Sequence, residues 1–502
     1  IFGDKVLIKK DSYKKAWIPA VLIASLMLSA CSVTGDVKSG REAGGNKENT
    51  AAEIPGKEEI PDAGAGTDTD ASADADAGTD TGADVDSGTD AASGKGRENE
   101  TTAPGENREG DKNTASGEGN RNTASGEIGE DKETTASVGT NDEADSPAGR
   151  VAAAEEPAPA DTVRIVMTGD VLMHDRIIAA GKNEDGTYDY SRMFENVRGV
   201  ISAADIAIVN QETILGGVEL GLSGYPSFNS PYEVGDAEAE AGFDVILHGT
   251  NHALDRSFNG IRNCVSFWEE KHPEITYLGI HDDKEDTEDI FVTECKGIKI
   301  AILNYTYGTN GIRPPEGREY IVDMLKEDRV ISDLDRAEEM ADITVVCPHW
   351  GEEYSLGVSD EQRRWTDIFL EHGADLVIGT HPHVIEPFET VGNGNDNMLV
   401  YYSIGNFINA TSGEGAKVTP RMVGGIAEAE IKKNENGEAF ICANTVIPIV
   451  CHLTKDDATV YYMNSYTEEM ASENRIVKQN PEFSLESCRD VVREVWGSEY
   501  AE

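Results

Sequence analysis

Two patterns of hydrophobic and polar residues, one typical of strands and one of helices, alternate along the chain from Val163 onward. Short apolar runs typical of strands occur in "TVRIVMTGD", "DIAIVNQE", "FDVILHGTNHALD", "IKIAILNYTY", "ADITVVCPHWGEEY", "ADLVIGTHPHV" and "NMLVYYSIGNF". Segments with helical spacing separate them: "SRMFENVRGVISAA", "SFNGIRNCVSFWEEKH", "EYIVDMLKEDRVISDLDRAEEM" and "DEQRRWTDIFLEHG". This alternation predicts an α/β sheet protein. Residues 421–451 favour two or three more strands, and the tail from about residue 467 favours helix and coil.

Polar residues able to bind a ligand follow five of these apolar runs. They are Asp170, Glu212, Asn251 with His252, His349, and His381 with His383. In open α/β sheets, ligands bind beyond the carboxyl ends of the strands. We therefore expect these side chains to converge at one edge of the sheet.

Each of these residues also has an ordinary interpretation when it is taken alone. Asp170 follows a glycine and suits a turn or a helix N-cap, and Asn251 suits a turn. Glu212 is compatible with a solvated surface position, and His349 with a buried histidine whose hydrogen bonds are satisfied. The pair His381 and His383 is harder to explain by packing, because the proline between them restricts the backbone.

Imidazole, carboxylate and amide donors together suit a divalent metal, with Mn²⁺, Fe²⁺ and Zn²⁺ the best candidates. The seven cysteines show no C-x-x-C spacing, which argues against a structural zinc site and against a disulfide framework. The pattern does not decide between one metal ion and two.

The first part of the chain, residues 1–161, differs from the rest in composition. Lysines precede "AWIPAVLIASLMLSAC", which has the order of a signal peptide, and "LSAC" resembles a bacterial lipobox with Cys31 as the lipidated residue. The alternative is an ordinary signal peptide with an incidental cysteine, and either one places the mature protein outside the cytoplasm. Residues 32–161 are acidic and low in complexity, and they predict a disordered linker with too little apolar surface to fold.

Charge narrows the choice of partners. The net charge is -51, and from Thr162 onward 61 acidic residues face 27 basic ones. Because nucleic-acid-binding domains carry basic patches, we expect no nucleic acid as a partner. The same charge does not favour recruitment of a long polyanion by bulk electrostatics.

Six motifs occur in an order that resembles the CapA-type capsule-synthesis proteins, relatives of the calcineurin-like phosphoesterases. They are "MTGDVLMHD", "VNQE", "GTNHALD", "HWGEEY", "GTHPHV" and "SIGNF", and the resemblance covers about residues 163–410. It implies an α/β/β/α sandwich of the metallophosphatase-like type. We divide the chain into a signal peptide (1–31), a linker (32–161), this domain (162–410), its β extension (411–466) and a tail (467–502).

The resemblance also implies roles for individual residues. It implies that Asp170, Glu212, Asn251, His349, His381 and His383 are metal ligands and that His252 protonates the leaving group. Thr250 stands where the family commonly has a first asparagine, but the matching ligand position, Asn251, is kept.

Three further residues are candidates for binding substrate, each with a plain alternative. His174 lies four residues after Asp170 and equally suits the surface of the following helix. Arg313 and Arg421 are candidates for an anionic group, and both also suit solvated loop positions.

The expected function is that of a lipid-anchored extracellular protein in poly-γ-glutamate or related capsule synthesis. It would act as a metal-dependent hydrolase of a phosphoester or amide bond. Expected partners are an anionic envelope polymer or its precursor, capsule-synthesis membrane proteins, and the membrane through the lipid anchor. The alternative is a non-catalytic accessory that assembles, exports or anchors the capsule.

Overall fold

A computed structural model describes residues 161–392 and 397–502. The expected signal peptide, Cys31 and almost all of the expected linker lie outside the described residues. Within the described ranges, no helix has both the length and the apolar character needed to cross a membrane.

The described ranges contain fourteen strands and eight α-helices. The strands are β1 (Val163–Val171), β2 (Ile206–Asn210), β3 (Val245–Leu247), β4 (Thr276–Leu278), β5 (Val292–Cys295), β6 (Ile298–Thr306), β7 (Ile343–His349), β8 (Leu376–Ile378), β9 (Phe388–Gly392), β10 (Asn397–Tyr401), β11 (Asn406–Ile408), β12 (Val423–Lys433), β13 (Ala439–Leu453) and β14 (Ala458–Tyr462). The helices are α1 (Asp175–Ala180), α2 (Arg198–Ser202), α3 (Glu233–Ala241), α4 (Ser257–Lys271), α5 (Glu327–Met340), α6 (Asp360–Glu371), α7 (Glu468–Glu473) and α8 (Leu485–Val495).

Two mixed sheets form the fold. The first has the order β14-β13-β12-β1-β2-β3-β4, and β11 also pairs with β1. Strands β1 to β4 run parallel, while β12, β13 and β14 add an antiparallel half. The second has the order β5-β6-β7-β8-β10-β9, with a parallel centre between antiparallel edge strands.

The sheets pack face to face, and β6 shows how. Ile300 and Ile302 join the core that the second sheet shares with the first. Leu303 and Tyr305 point the other way and pack with buried residues of α5 and α6. Since α3 and α4 contribute buried residues to the core of the first sheet, the layers are helix, sheet, sheet, helix. The predicted α/β/β/α sandwich is confirmed.

Four aspartates fix the start of parallel strands in the same way. Each aspartate stands one residue before its strand. Its backbone N–H donates to the carbonyl of a residue on the neighbouring strand, and its carboxylate accepts the backbone N–H of that same residue. The carboxylate distances are 2.8 to 3.0 Å, and the pairs are Asp205 with Arg164, Asp244 with Ala207, Asp342 with Lys299, and Asp375 with Thr344. The carboxylate thus satisfies an N–H at the end of the sheet opposite the strand ends that carry the candidate ligands.

Some predicted elements differ in length. Segment 191–204 was expected to be helical throughout, but only α2 and a short 3₁₀ turn at Ser191–Met193 form. Residues 319–326 likewise precede α5 without helix. The expected α6 begins with a capping box at Ser359 and is followed by Gly373 at φ 88°.

Candidate metal centre

The carboxyl ends of strands from both sheets meet at one buried site. From the first sheet come Asp170 on β1, Glu212 after β2, and Asn251 and His252 after β3. The second sheet contributes His349, the last residue of β7, and the pair after β8. The structure therefore brings together all seven residues expected at the site: Asp170, Glu212, Asn251, His252, His349, His381 and His383, none more than 8% exposed.

Glu212 lies at the centre of this group. Its Oε1 atom is 3.7, 3.8 and 3.9 Å from the Nε2 atoms of His383, His349 and His252. Neither carboxylate oxygen has a hydrogen-bond partner within the described residues, although both are buried. A buried unpaired carboxylate is costly unless a cation or a donor compensates it. The residues present therefore fit a bound metal ion.

Two sets of donors share Glu212. Glu212, His349 and His381 form one set, and Asp170, Glu212 and His383 form the other, with all ligand atoms of a set within 4.8 Å of one another. Asn251 Oδ1 lies 3.1 Å from His349 Nε2, so an amide oxygen adjoins the first set. A carboxylate shared by two donor sets is compatible with one metal ion or with two adjoining ones.

Hydrogen bonds around the ligands fix their orientation. His349 Nδ1 lies 3.0 Å from the Thr380 hydroxyl. His383 Nδ1 lies 3.0 Å from Asn406 Oδ1 and 3.2 Å from Asp170 Oδ2. Partners of this kind hold a ligand ring in one position, which strengthens metal binding.

Burial and neighbouring carboxylates together set the protonation of the ligands. Desolvation lowers the pKa values of His349 and His381 well below the usual range, so both rings are neutral and able to bind metal. It raises the pKa of Glu212 well above normal. Burial opposes the charged form of His383 as well, but Glu212 and Asp170 outweigh it and raise the pKa of His383 to about 10.

Strained backbone concentrates at the site. Four of the six described non-glycine residues with positive φ lie here: Asn310 (50°), Tyr354 (67°), His381 (101°) and His383 (59°). Such conformations persist where the surrounding structure imposes them, and they cluster at functional sites. Close approach adds a further constraint, because a Cβ at position 169 would collide with the Gly405 carbonyl oxygen.

His252 has a carboxylate behind it. Its Nδ1 atom lies 2.7 Å from Asp255 Oδ2, which also accepts the Phe228 N–H at 2.7 Å. This arrangement keeps a proton on Nδ1 and turns Nε2 toward the Glu212 carboxylate. A histidine held this way can exchange a proton at Nε2 with a substrate.

The three substrate-binding candidates differ in their placement. His174 is half-buried with its ring 5.2 Å from Phe228, and burial together with His383 and His252 lowers its pKa to about 4. The Arg421 guanidinium lies 3.5 Å from the centre of the Tyr354 ring and donates to Thr411 and Ser412, so it adjoins the site but is largely committed. Arg313 is exposed in the loop after β6 and makes no hydrogen bond or ion pair with any described residue.

Sequence reasoning missed three residues of the site. Asp255 stands three positions after His252 in "GTNHALD", and Asn406 stands in "SIGNF", so both were inside recognised motifs without an assigned role. Glu353, in "HWGEEY", is exposed, yet its carboxylate lies within 4.8 Å of His381 and His383 nitrogens. A carboxylate next to a strand-end histidine was the signal that could have identified it.

Residues 164–411 match the family described as bacterial capsule synthesis protein PGA_cap. The capsule biosynthesis protein CapA of Bacillus anthracis is 28% identical over 178 residues, which are 34% of this chain and 41% of that protein. The PGA biosynthesis protein CapA of Bacillus subtilis (strain 168) is 31% identical over 176 residues, 33% of this chain and 42% of that protein. The matches thus span less than half the length of these curated relatives. They confirm the resemblance to CapA-type proteins.

Solved structures show a more distant similarity. The NAD nucleotidase of Haemophilus influenzae is 11% identical with a TM-score of 0.37, covering 67% of this chain and 63% of that one. A 5'-nucleotidase precursor from Thermus thermophilus is 13% identical with a TM-score of 0.35, covering 66% and 59%. These similarities are too distant to indicate a substrate.

Proposed function

We propose that this chain, whose residues 164–411 match the family described as bacterial capsule synthesis protein PGA_cap, acts in the synthesis of a capsule or related envelope polymer as a metal-dependent hydrolase. The bond cleaved is a phosphoester or an amide. The observation that carries the proposal is the buried Glu212 carboxylate, with unpartnered oxygens and imidazoles from both sheets around it.

The ligands are Asp170, Glu212, Asn251, His349, His381 and His383. A divalent metal held by these residues would supply Lewis-acid activation of water and of a phosphoryl or carbonyl group. His252 gives a proton to the departing oxygen or nitrogen from Nε2, while Asp255 holds the ring and stabilises its charged form. Bulk water has little access to the predicted ligands, since each of them is buried.

The proposal also includes location and partners. A lipid anchor at Cys31 would hold the domain outside the cell membrane, next to capsule-synthesis membrane proteins and an anionic polymer or its precursor. The support for this is the sequence of the first 31 residues and the match of residues 164–411 to the capsule synthesis family.

Metal analysis and turnover test the two halves of the proposal. The full chain, loaded with Mn²⁺ and desalted, should retain metal, and the double variant His381→Ala, His383→Ala should lose most of it. His372→Ala is the matched control, because this histidine pairs with Asp335 on the surface. Equal metal content in the double variant and the control would refute the ligand assignment.

Turnover is measured on an aryl phosphodiester and on γ-linked glutamate peptides with added Mn²⁺. Cleavage of either substrate, lost in the double variant, is the expected result and identifies the bond class. A chain that retains metal but cleaves neither substrate would favour the non-catalytic role in capsule assembly, export or anchoring.

A further inference from the structure

Exposed apolar side chains gather around the mouth of the metal centre. Large hydrophobic residues with substantial exposure number seven in the described ranges, and four of them are Tyr225 (73%), Tyr307 (46%), Ile312 (37%) and Tyr354 (45%). Tyr307 and Ile312 share the loop after β6. Tyr225 packs on Phe228, whose ring lies 4.6 Å from that of His252. Exposed aromatic rings beside a polar buried site are typical of ligand recognition.

Tyr307 and Tyr354 flank the two histidines after β8. The ring centroids of Tyr307 and His381 are 4.5 Å apart, and those of Tyr354 and His383 are 6.0 Å apart. Each tyrosine is also fixed through its backbone, since Tyr307 donates its N–H to the His349 carbonyl and Tyr354 donates to the Pro382 carbonyl. The main chain of both tyrosines is therefore fixed next to the ligands.

Two features constrain the position of Tyr354. Its φ of 67° is unfavourable for a residue with a side chain, and the buried Arg421 guanidinium lies against its ring. A tyrosine that only covers the protein surface needs neither a strained backbone nor a guanidinium against its ring. Both features make sense if the ring must be in place before a ligand arrives, because ordering it on binding would cost affinity.

Polar groups stand between these rings. The Glu353 carboxylate is exposed beside His381 and His383, and the exposed Asn310 side chain accepts a 3.4 Å hydrogen bond from Asn251 Nδ2. Both Glu353 and Asn310 can bond to hydroxyl groups. Glu353 and the acidic excess from Thr162 onward, 61 residues against 27, repel a ligand with several negative charges.

We propose that Tyr307 and Tyr354 bind a sugar ring next to the scissile bond, so that the substrate is a phosphoester of a glycan. This rests on the proposed hydrolase function and selects the phosphoester over the glutamyl amide. The apolar face of a pyranose lies on the tyrosine rings, and its hydroxyl groups bond to Glu353 and Asn310. An acyclic glutamate chain offers no such face, and Glu353 repels its successive carboxylates.

Equilibrium binding tests the proposal without metal or turnover. The full chain is titrated calorimetrically with three probes: chitotetraose as a neutral glycan, tetra-γ-glutamate as an acyclic polyanion, and adenosine monophosphate as a stacked base. Chitotetraose should bind, and Tyr307→Leu and Tyr354→Leu should each weaken it about three- to tenfold. Thermal melting checks that the variants remain folded.

Two control substitutions lie outside the site. Phe440→Leu removes another exposed ring, on β13, and His372→Ala removes a histidine that pairs with Asp335 on the surface; neither should change chitotetraose binding. If the wild type binds no chitotetraose, or the tyrosine variants bind it as well as the wild type does, the sugar site is refuted. Tighter binding of adenosine monophosphate or tetra-γ-glutamate with the same tyrosine dependence would also refute it. Absence of turnover would refute the hydrolase and leave the binding result standing.

Discussion

Asp255→Asn isolates the charge behind His252. In the wild type, Asp255 Oδ2 accepts from both His252 Nδ1 and the Phe228 N–H, each at 2.7 Å, and the residue is 8% exposed. An asparagine oxygen at the same place can still accept both bonds. The substitution therefore keeps the geometry and removes the negative charge that stabilises a protonated His252.

The size of the effect follows from this one bond. A buried hydrogen bond to a charged group contributes about 1.5–3 kcal/mol, which corresponds to about 10- to 150-fold in rate. Asp255→Asn should fall at the lower end of this range, and Asp255→Ala, which also removes both acceptor contacts, at the upper end. Metal content should not change, because Asp255 contributes to neither Glu212-containing donor set.

The assay compares kcat for aryl phosphodiesters whose leaving groups differ in basicity. A poor leaving group needs the proton from His252 and should show the full loss, whereas a good one should show little. Asp323→Asn is a matched control, since the Asp323 carboxylate lies 2.7 Å from His281 Nε2 in a pair that is not part of the site. An equal loss for all leaving groups, or an equal loss in the control, would show that Asp255 acts on stability and not through His252.

Three further substitutions distinguish binding from stability. Glu212→Gln should abolish metal retention. It should also raise the melting temperature of the metal-free protein by about 2 °C, because burial raises the pKa of Glu212 well above normal and the native state must take up a proton that an amide does not need; a lower melting temperature would contradict this. Glu353→Gln should retain most of the metal, since Glu353 is exposed and groups with His381 and His383 but not with Glu212; metal loss equal to that of Glu212→Gln would place it among the main ligands. Glu238 is buried on α3, and its carboxyl group has no hydrogen-bond partner among the described residues. Desolvation raises its pKa well above normal, so the native state holds its proton while the unfolded state releases it near pH 4.5. The free energy of unfolding of the wild type therefore falls as the pH rises above that value. In chemical denaturation at pH 5 and pH 8, Glu238→Gln should be more stable than the wild type mainly at pH 8. The control Glu240→Gln, at an exposed position, should be no more stable than the wild type at either pH.

The strands and their terminal ligands could be predicted because their signal is local. A buried apolar run such as that of β7, followed by His349, specifies both a strand and the edge at which it ends. The division of donors between two sheets could not be predicted in this way, because periodicity does not say which strands pair. Only the family resemblance supplied it.

Asp255 and Glu353 were missed for different physical reasons. Asp255 reaches His252 through a turn, and carboxylates three residues from a histidine are common on ordinary helices and turns. Glu353 is exposed, and an exposed glutamate normally indicates a solvated surface. The helix expected at residues 191–204 shortened because apolar spacing predicts which face is buried but not where hydrogen bonding stops.

The aspartates at the strand starts have a consequence for precision at the opposite end. A parallel strand can slide along its neighbour, and a slip of one residue moves its last side chain by about 3.3 Å and turns it to the other face. Asp342 and Asp375 lock β7 and β8 against such sliding far from His349 and His381. The positions of the ligand atoms are therefore determined in part by two carboxylates that do not contact the bound cation. Substituting Asp342 or Asp375 would shift the ligand histidines relative to one another without changing any of them.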